Sequence, residues 1–203
     1  MIKSFKIHFA TWLLIIPMIL PAQISQSIES AGDTAKVLTI QMEDIPAISL
    51  QTTIKLDKLA ETLITEAQIV NEKTKIDSIL TTINALLIAE DNIDYDSLLS
   101  RTLVNKSNFW SGYMEVLEKQ VDRTERNIAD LTIKSKEVNN ELGLWTRTKS
   151  KMDSVYTDSL YGLTINEVIL QADSLSRVIL MRTKVCFSLL KSLKQSYVKV
   201  DKL

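Results

Sequence analysis

The side chains that do chemistry in proteins of this size are few here, and they are not in useful company. His8 is the only histidine, and it lies in an N-terminal stretch that reads as a targeting segment. The rest of the chain therefore has no imidazole to act as base, nucleophile partner or metal ligand. Cys186 is the single cysteine and cannot close an intrachain disulfide. It stands in an apolar rhythm between Arg182 and Leu189, the place of a small buried hydrophobe rather than of a reactive thiol. Carboxylates are scattered, and the densest groups, Glu43-Asp44 and Asp91 with Asp94, fall where helices start and turns form. No glycine-rich phosphate loop or nucleophile elbow occurs. The expectation is a protein that is not an enzyme, with no catalytic, cofactor-binding or metal site and no small-molecule substrate. Trp110 and Trp145 are a conceivable stacking pair, yet both sit at the ends of one helical seam, where core packing accounts for them. Arg182 reads as an arginine snorkelling from the edge of another seam.

That seam is the dominant pattern. From Trp110 the residues Met114, Leu117, Val121, Thr124, Ile128, Leu131, Ser135, Val138, Leu142 and Trp145 follow a strict 4-3-4-3 spacing, apolar except at Thr124 and Ser135. The rhythm returns in Ile165, Val168, Ala172, Leu175, Ile179, Arg182, Cys186, Leu189, Leu193, Ser196, Val200 and Leu203, broken only by Arg182 and Ser196. A 3.5-residue repeat keeps one narrow stripe on one helix face, which suits lengthwise packing against other helices. Pro46 is the last proline, and only Gly112, Gly143 and Gly162 follow it. A chain so poor in turn residues cannot build the hairpins of an all-β fold. The fold class expected is all-α: three long helices packed as an elongated antiparallel coiled-coil bundle.

The first 22 residues do not belong to that bundle. Lys3 and Lys6 precede the largely apolar run Phe9–Leu20, and Ala22 offers a small residue at a cleavage point. This is the arrangement of a secretory signal peptide, too short for an ordinary membrane span. Its removal takes away Lys3 and Lys6, leaving 22 basic against 25 acidic residues, interspersed rather than clustered. Nucleic acid is a poor partner for such a surface. An exported chain without disulfides suits a bacterial periplasm.

The expected organisation is a signal peptide at 1–22, a flexible leader at 23–46 with a short extended piece at Val37–Met42, and an elongated helical domain at 47–203. Glu43-Asp44-Ile45-Pro46 marks a helix start, since proline and carboxylates both favour a first turn. The first helix is expected from Ala47 to Ile88, with Ile54, Leu56, Leu63, Ile69, Val70, Ile76 and Ile83 among its apolar stripe. That stripe drifts between Leu63 and Ile76, where Glu66 and Lys73 fall on seam positions, so a loose or bent middle is expected. A turn near 89–95 leads to a second helix starting at Asp94 or Asp96 and running to about Ser150. A connection at 151–163 leads to a third, with Thr164 and Glu167 as its capping box. Leu131 and Leu175 are expected to be buried in an antiparallel seam between the second and third helices.

The exported leader, the Glu43-Asp44-Ile45-Pro46 start and three long helices, the second closing with Leu142-x-Leu144-Trp145-x-x-Thr148, resemble one known group. It is the periplasmic N-terminal coiled-coil region of the larger MscS-type mechanosensitive ion channels of Bacteroidetes-like bacteria, over roughly Val37 to Leu203. In that family the region precedes membrane helices, a glycine-rich pore helix and a cytoplasmic vestibule. This chain shows no second apolar run of the roughly 20 residues a span needs. The resemblance thus implies a periplasmic module of a parent protein in the bacterial inner membrane, joined to the membrane through a C-terminal portion missing here. Its partners would be further copies or helices of the same channel, and its role to modulate assembly or tension gating. The alternative is a free-standing periplasmic coiled-coil scaffold or adaptor.

Overall fold

The computed structural model describes residues 39–91, 93–153 and 160–202. The expected signal peptide, the leader as far as residue 38, Asn92, residues 154–159 of the expected second connection and Leu203 lie outside the described residues. Four helices make up the unit: α1 (Ile45–Glu61), α2 (Glu66–Glu90), α3 (Ser100–Asp153) and α4 (Leu160–Val200). Among the described residues there is no strand. At 1.5 Å per residue the 54 residues of α3 extend for about 80 Å.

The seams pack as their spacing demands. Along α3 the residues Trp110, Leu117, Thr124, Leu131, Val138 and Trp145, seven apart, are all buried, while the intervening Met114, Val121, Ile128, Ser135 and Leu142 are half-buried. In α4 both sets are buried from Ile165 to Val200, with Arg182 alone half-buried. The difference follows from position. Helix α4 packs against α3 on one side and against α1 and α2 on the other, so a wider face is covered.

Cross-links give the directions. As the residue on α1 or α2 climbs through Thr52, Lys55, Glu72 and Glu90, its partner on α3 falls through Trp145, Glu141, Arg123 and Lys106. The first arm therefore runs antiparallel to α3. Ser176 with Asn139 and Tyr197 with Glu118 show the same sense for α4 against α3. Three long helical arms pack together, as expected, and Leu131 and Leu175 are both buried in the shared seam.

The first arm is not one helix. It breaks at Thr62–Thr65, and phase explains why. The buried run Ser49, Leu56 and Leu63 keeps a seven-residue step. Continued unbroken, that step would next bring Val70, Asp77 and Asn84 into the seam. The residues that are buried are instead Ile69, Ile76, Ile83 and Glu90, one position earlier in each heptad. Breaking the helix resets the phase, so isoleucines enter the core instead of an aspartate and an asparagine, whose burial without partners is costly. Both new ends are satisfied. Thr65 and Gln68 form a capping box at the start of α2, worth about 1 kcal/mol. At the end of α1, Lys134 Nζ donates to Thr62 O at 2.7 Å, placing a cation where the helix dipole favours one.

Other boundaries shift too. Val70 and Ile54, expected in the stripe, are 56% and 45% exposed; Glu66 and Lys73 are exposed. Helix α3 begins at Ser100, because the Asp94 carboxylate accepts from Asp96 N–H at 3.2 Å and closes a 3-10 turn at Tyr95–Ser97 instead. Helix α4 begins at Leu160, a turn before Thr164, since Tyr161 docks on the core. Thr164 is thus inside the helix, its hydroxyl donating to Leu160 O at 3.4 Å, and Gly162 is helical. Gln41 is extended, but Met42–Asp44 form a 3-10 turn leading into α1.

Candidate functional site

The buried apolar residues divide into two clusters along the bundle. The first joins Ile45, Leu56 and Leu63 to Leu131, Val138, Trp145, Ile165, Ala172, Ile179 and Cys186. The second joins Ile76 and Ile83 to Trp110, Leu117, Leu189, Leu193 and Val200. Each tryptophan of α3 therefore anchors one cluster, and polar groups lie close to each at an end of the first arm.

At the Trp145 end, the indole Nε1 donates to Thr52 Oγ1 at 3.2 Å, and both side chains are buried. One turn on, Thr148 Oγ1 accepts from Ile40 N at 3.1 Å and donates to Leu144 O at 3.0 Å. This threonine bridges the segment before α1 to the backbone of α3. Ile40 is buried, so the final residues of the expected leader belong to the packed unit. Glu43 and Asp44 are exposed in the 3-10 turn before α1, and Asp44, at the N-cap of α1, makes no side-chain capping bond.

At the Trp110 end lies a polar group the sequence reasoning missed. Glu90 is only 8% exposed. Lys106 Nζ lies 2.6 Å from its Oε1, and Tyr95 donates its hydroxyl to the same oxygen. Lys106 also sits over the Tyr95 ring, 5.7 Å from its centre. Burial pushes the Glu90 carboxyl pKa up, but hydrogen bonding from Lys106, Tyr95 and the nearby Trp110, with the Lys106 charge, outweighs it and leaves the pKa below the usual value. Tyr95 is pushed up to about 12, by burial first and then by the bond to Glu90. Trp110 Nε1 is buried outside full hydrogen-bonding geometry with any partner. Its ring packs against Phe109 and Tyr113, with centres 5.4 and 5.8 Å away. The signal that could have found Glu90 is its place in the rhythm Ile69, Ile76, Ile83, where a carboxylate demands a partner.

Between the ends, Arg182 is half-buried at the third seam. Cys186 is buried, and burial raises its thiol pKa, which disfavours the reactive thiolate. Asp91 is exposed after α2, and Asp94 caps the turn. Three open grooves of about 570, 490 and 400 Å³ run between the helices. The largest is bounded by Tyr95, Lys106, Trp110, Met114, Glu118 and Val200, but Lys106 and Glu118 are already engaged in the contacts above. Among the described residues no three acidic, cysteine or histidine side chains gather as metal ligands. Also among them, no helix is long and apolar enough to cross a membrane. The arrangement can fasten helices lengthwise and present a surface; the outer side of α4 exposes Leu180, Met181 and Phe187. Comparison with protein families, with curated proteins and with solved structures gives no match.

Proposed function

We propose that this chain is the periplasmic helical module of an MscS-type mechanosensitive channel, acting on assembly or tension gating while the pore lies elsewhere in the parent protein. The observation that carries the reading is the meeting of the two stretches behind the resemblance. Ile45, from the Glu43–Pro46 start, shares an apolar cluster with Leu142, Leu144 and Trp145, and Thr148 holds the backbone of Ile40 just before that start. The packing of the two stretches against each other supports reading them as one structural unit. A second support is mechanical. Two seams buried along their length and fastened near both ends suit a lever that carries displacement from one end to the other. The exposed Leu180, Met181 and Phe187 on α4 favour the second reading, a scaffold or adaptor that takes up partner helices.

Deleting residues 37–203 from the full-length gene product tests this. The channel reading expects a protein that still conducts, with an altered tension threshold or assembly yield, measured by patch recording and by survival of hypo-osmotic shock. A gene without membrane helices after Leu203, or gating and osmotic survival untouched by the deletion, refutes it in favour of the adaptor.

A further inference from the structure

The break in the first arm separates two helices that serve different cores. Ile45 and Leu56 of α1 belong to the first cluster, and Ile76 and Ile83 of α2 to the second. The start of α2 is capped by Thr65 and Gln68 of its own sequence, so it needs nothing from α1. The polar links of α1 run to α3 and α4: Thr52 to Trp145, Lys55 to Glu141 at 2.7 Å, Asp57 to Gln171 at 2.7 Å, and Thr62 to Lys134. Helix α1 precedes the other three in the chain. A pivot at Thr62–Thr65 therefore moves α1 while Ile76 and Ile83 of α2 keep their cluster, and it uncovers the face of α3 and α4 that α1 buries.

We propose that α1 is an exchangeable arm, and that the surface it covers on α3 and α4 is an interface for the α1 of a second copy of this chain. The occupant follows from the groove itself. The first cluster joins Ile45 and Leu56 to Leu131, Val138, Ile165, Ala172 and Ile179, and Trp145, Glu141 and Gln171 pair with Thr52, Lys55 and Asp57. A second copy's α1 brings every one of those groups, so reciprocal exchange keeps these contacts and alters the backbone path at Thr62–Thr65. Such exchange makes a closed two-fold dimer at low cost. The phase conflict keeps Thr62–Thr65 non-helical, because one continuous helix would bring Asp77 and Asn84 into the seam, so α1 and α2 are joined by a pivot rather than by a rigid rod. The inference does not depend on the channel reading.

The test mixes two forms of the full chain, one carrying Lys55→Cys and the other Glu141→Cys. They are unfolded together in urea, refolded at high concentration, sized by chromatography with light scattering, and treated with a short bismaleimide. Exchange predicts a dimer fraction that rises with concentration and yields a covalent heterodimer on a denaturing gel. The parent chain, whose only thiol is the buried Cys186, should give none under the same treatment. Inserting a flexible Gly-Ser segment between Ile64 and Thr65 should lower the dimer fraction, because a longer hinge lets α1 fold back on its own chain. Absence of a dimer at any concentration overturns the proposal. So does a dimer without the heterodimer cross-link, which would point to association through the outer face of α4. Helicity by circular dichroism, equal to the parent's, confirms that each form has folded.

Discussion

Leu131 and Ile133 stand two residues apart on α3, and the bundle treats them oppositely. Leu131 is fully buried in the first cluster, whereas Ile133 is 61% exposed. Replacing Leu131 with Ala removes buried methyl groups and leaves a cavity between α3 and α4, since those backbones are pinned on either side by Ser176–Asn139 and Lys194–Glu125. Leucine-to-alanine changes in cores cost about 2–5 kcal/mol. A narrow bundle can relax from its open sides, so the lower half of that range, about 3 kcal/mol, is expected here. For a domain of this size about 3 kcal/mol lowers Tm by roughly 6–12 °C. Ile133→Ala should stay within about 0.5 kcal/mol of the parent. The sharper form is Leu131→Asp, which should cost more at neutral pH because it buries an unpaired charge. The introduced carboxyl has a folded-state pKa raised by burial, so the folded protein holds its proton to higher pH than the unfolded chain does. Stability of that variant should consequently fall as pH rises above the usual carboxylate range. Urea unfolding followed by circular dichroism at several pH values measures all of this. Equal losses for Leu131→Ala and Ile133→Ala, or a Leu131→Asp penalty indifferent to pH, would refute the seam.

Two further outcomes are expected. At Gly112 in α3 an added Cβ meets nothing within 4 Å, so Gly112→Ala should stabilise the chain by about 1 kcal/mol through helix propensity, read as a rise in the urea midpoint at unchanged slope. Glu90, whose carboxyl pKa is lowered, contributes stability that is present above its ordinary value of 4.5 and lost as pH falls through the depressed folded-state value. Glu90→Gln should destabilise at pH 7 and show a weaker acid dependence below pH 4.5 than the parent; parallel stability curves for the two would show that Glu90 does not hold the turn between α2 and α3.

Much of this architecture was legible in the residues alone. A seven-residue apolar rhythm is a property of spacing, and any helix bearing it must bury that face, which is why every seam position of α3 and every described seam position of α4 is buried or half-buried as expected. The absence of proline after Pro46 and the scarcity of glycine likewise settled the all-α class, because turns need backbone conformations those residues supply. The drift between Leu63 and Ile76 was visible as well, but only as a bend. Its resolution as a clean break required the partner helices. Whether Ile69 or Val70 points inward depends on where α3 and α4 stand and on whether Lys134 is there to take up the Thr62 carbonyl. The same holds for Glu90: a carboxylate in an isoleucine rhythm becomes a fastening only when the chain turns and brings Tyr95 and Lys106 against it. Local sequence determines which face of a helix seeks cover. Only the packed bundle decides which face finds it, because desolvation and pairing are properties of neighbours far along the chain.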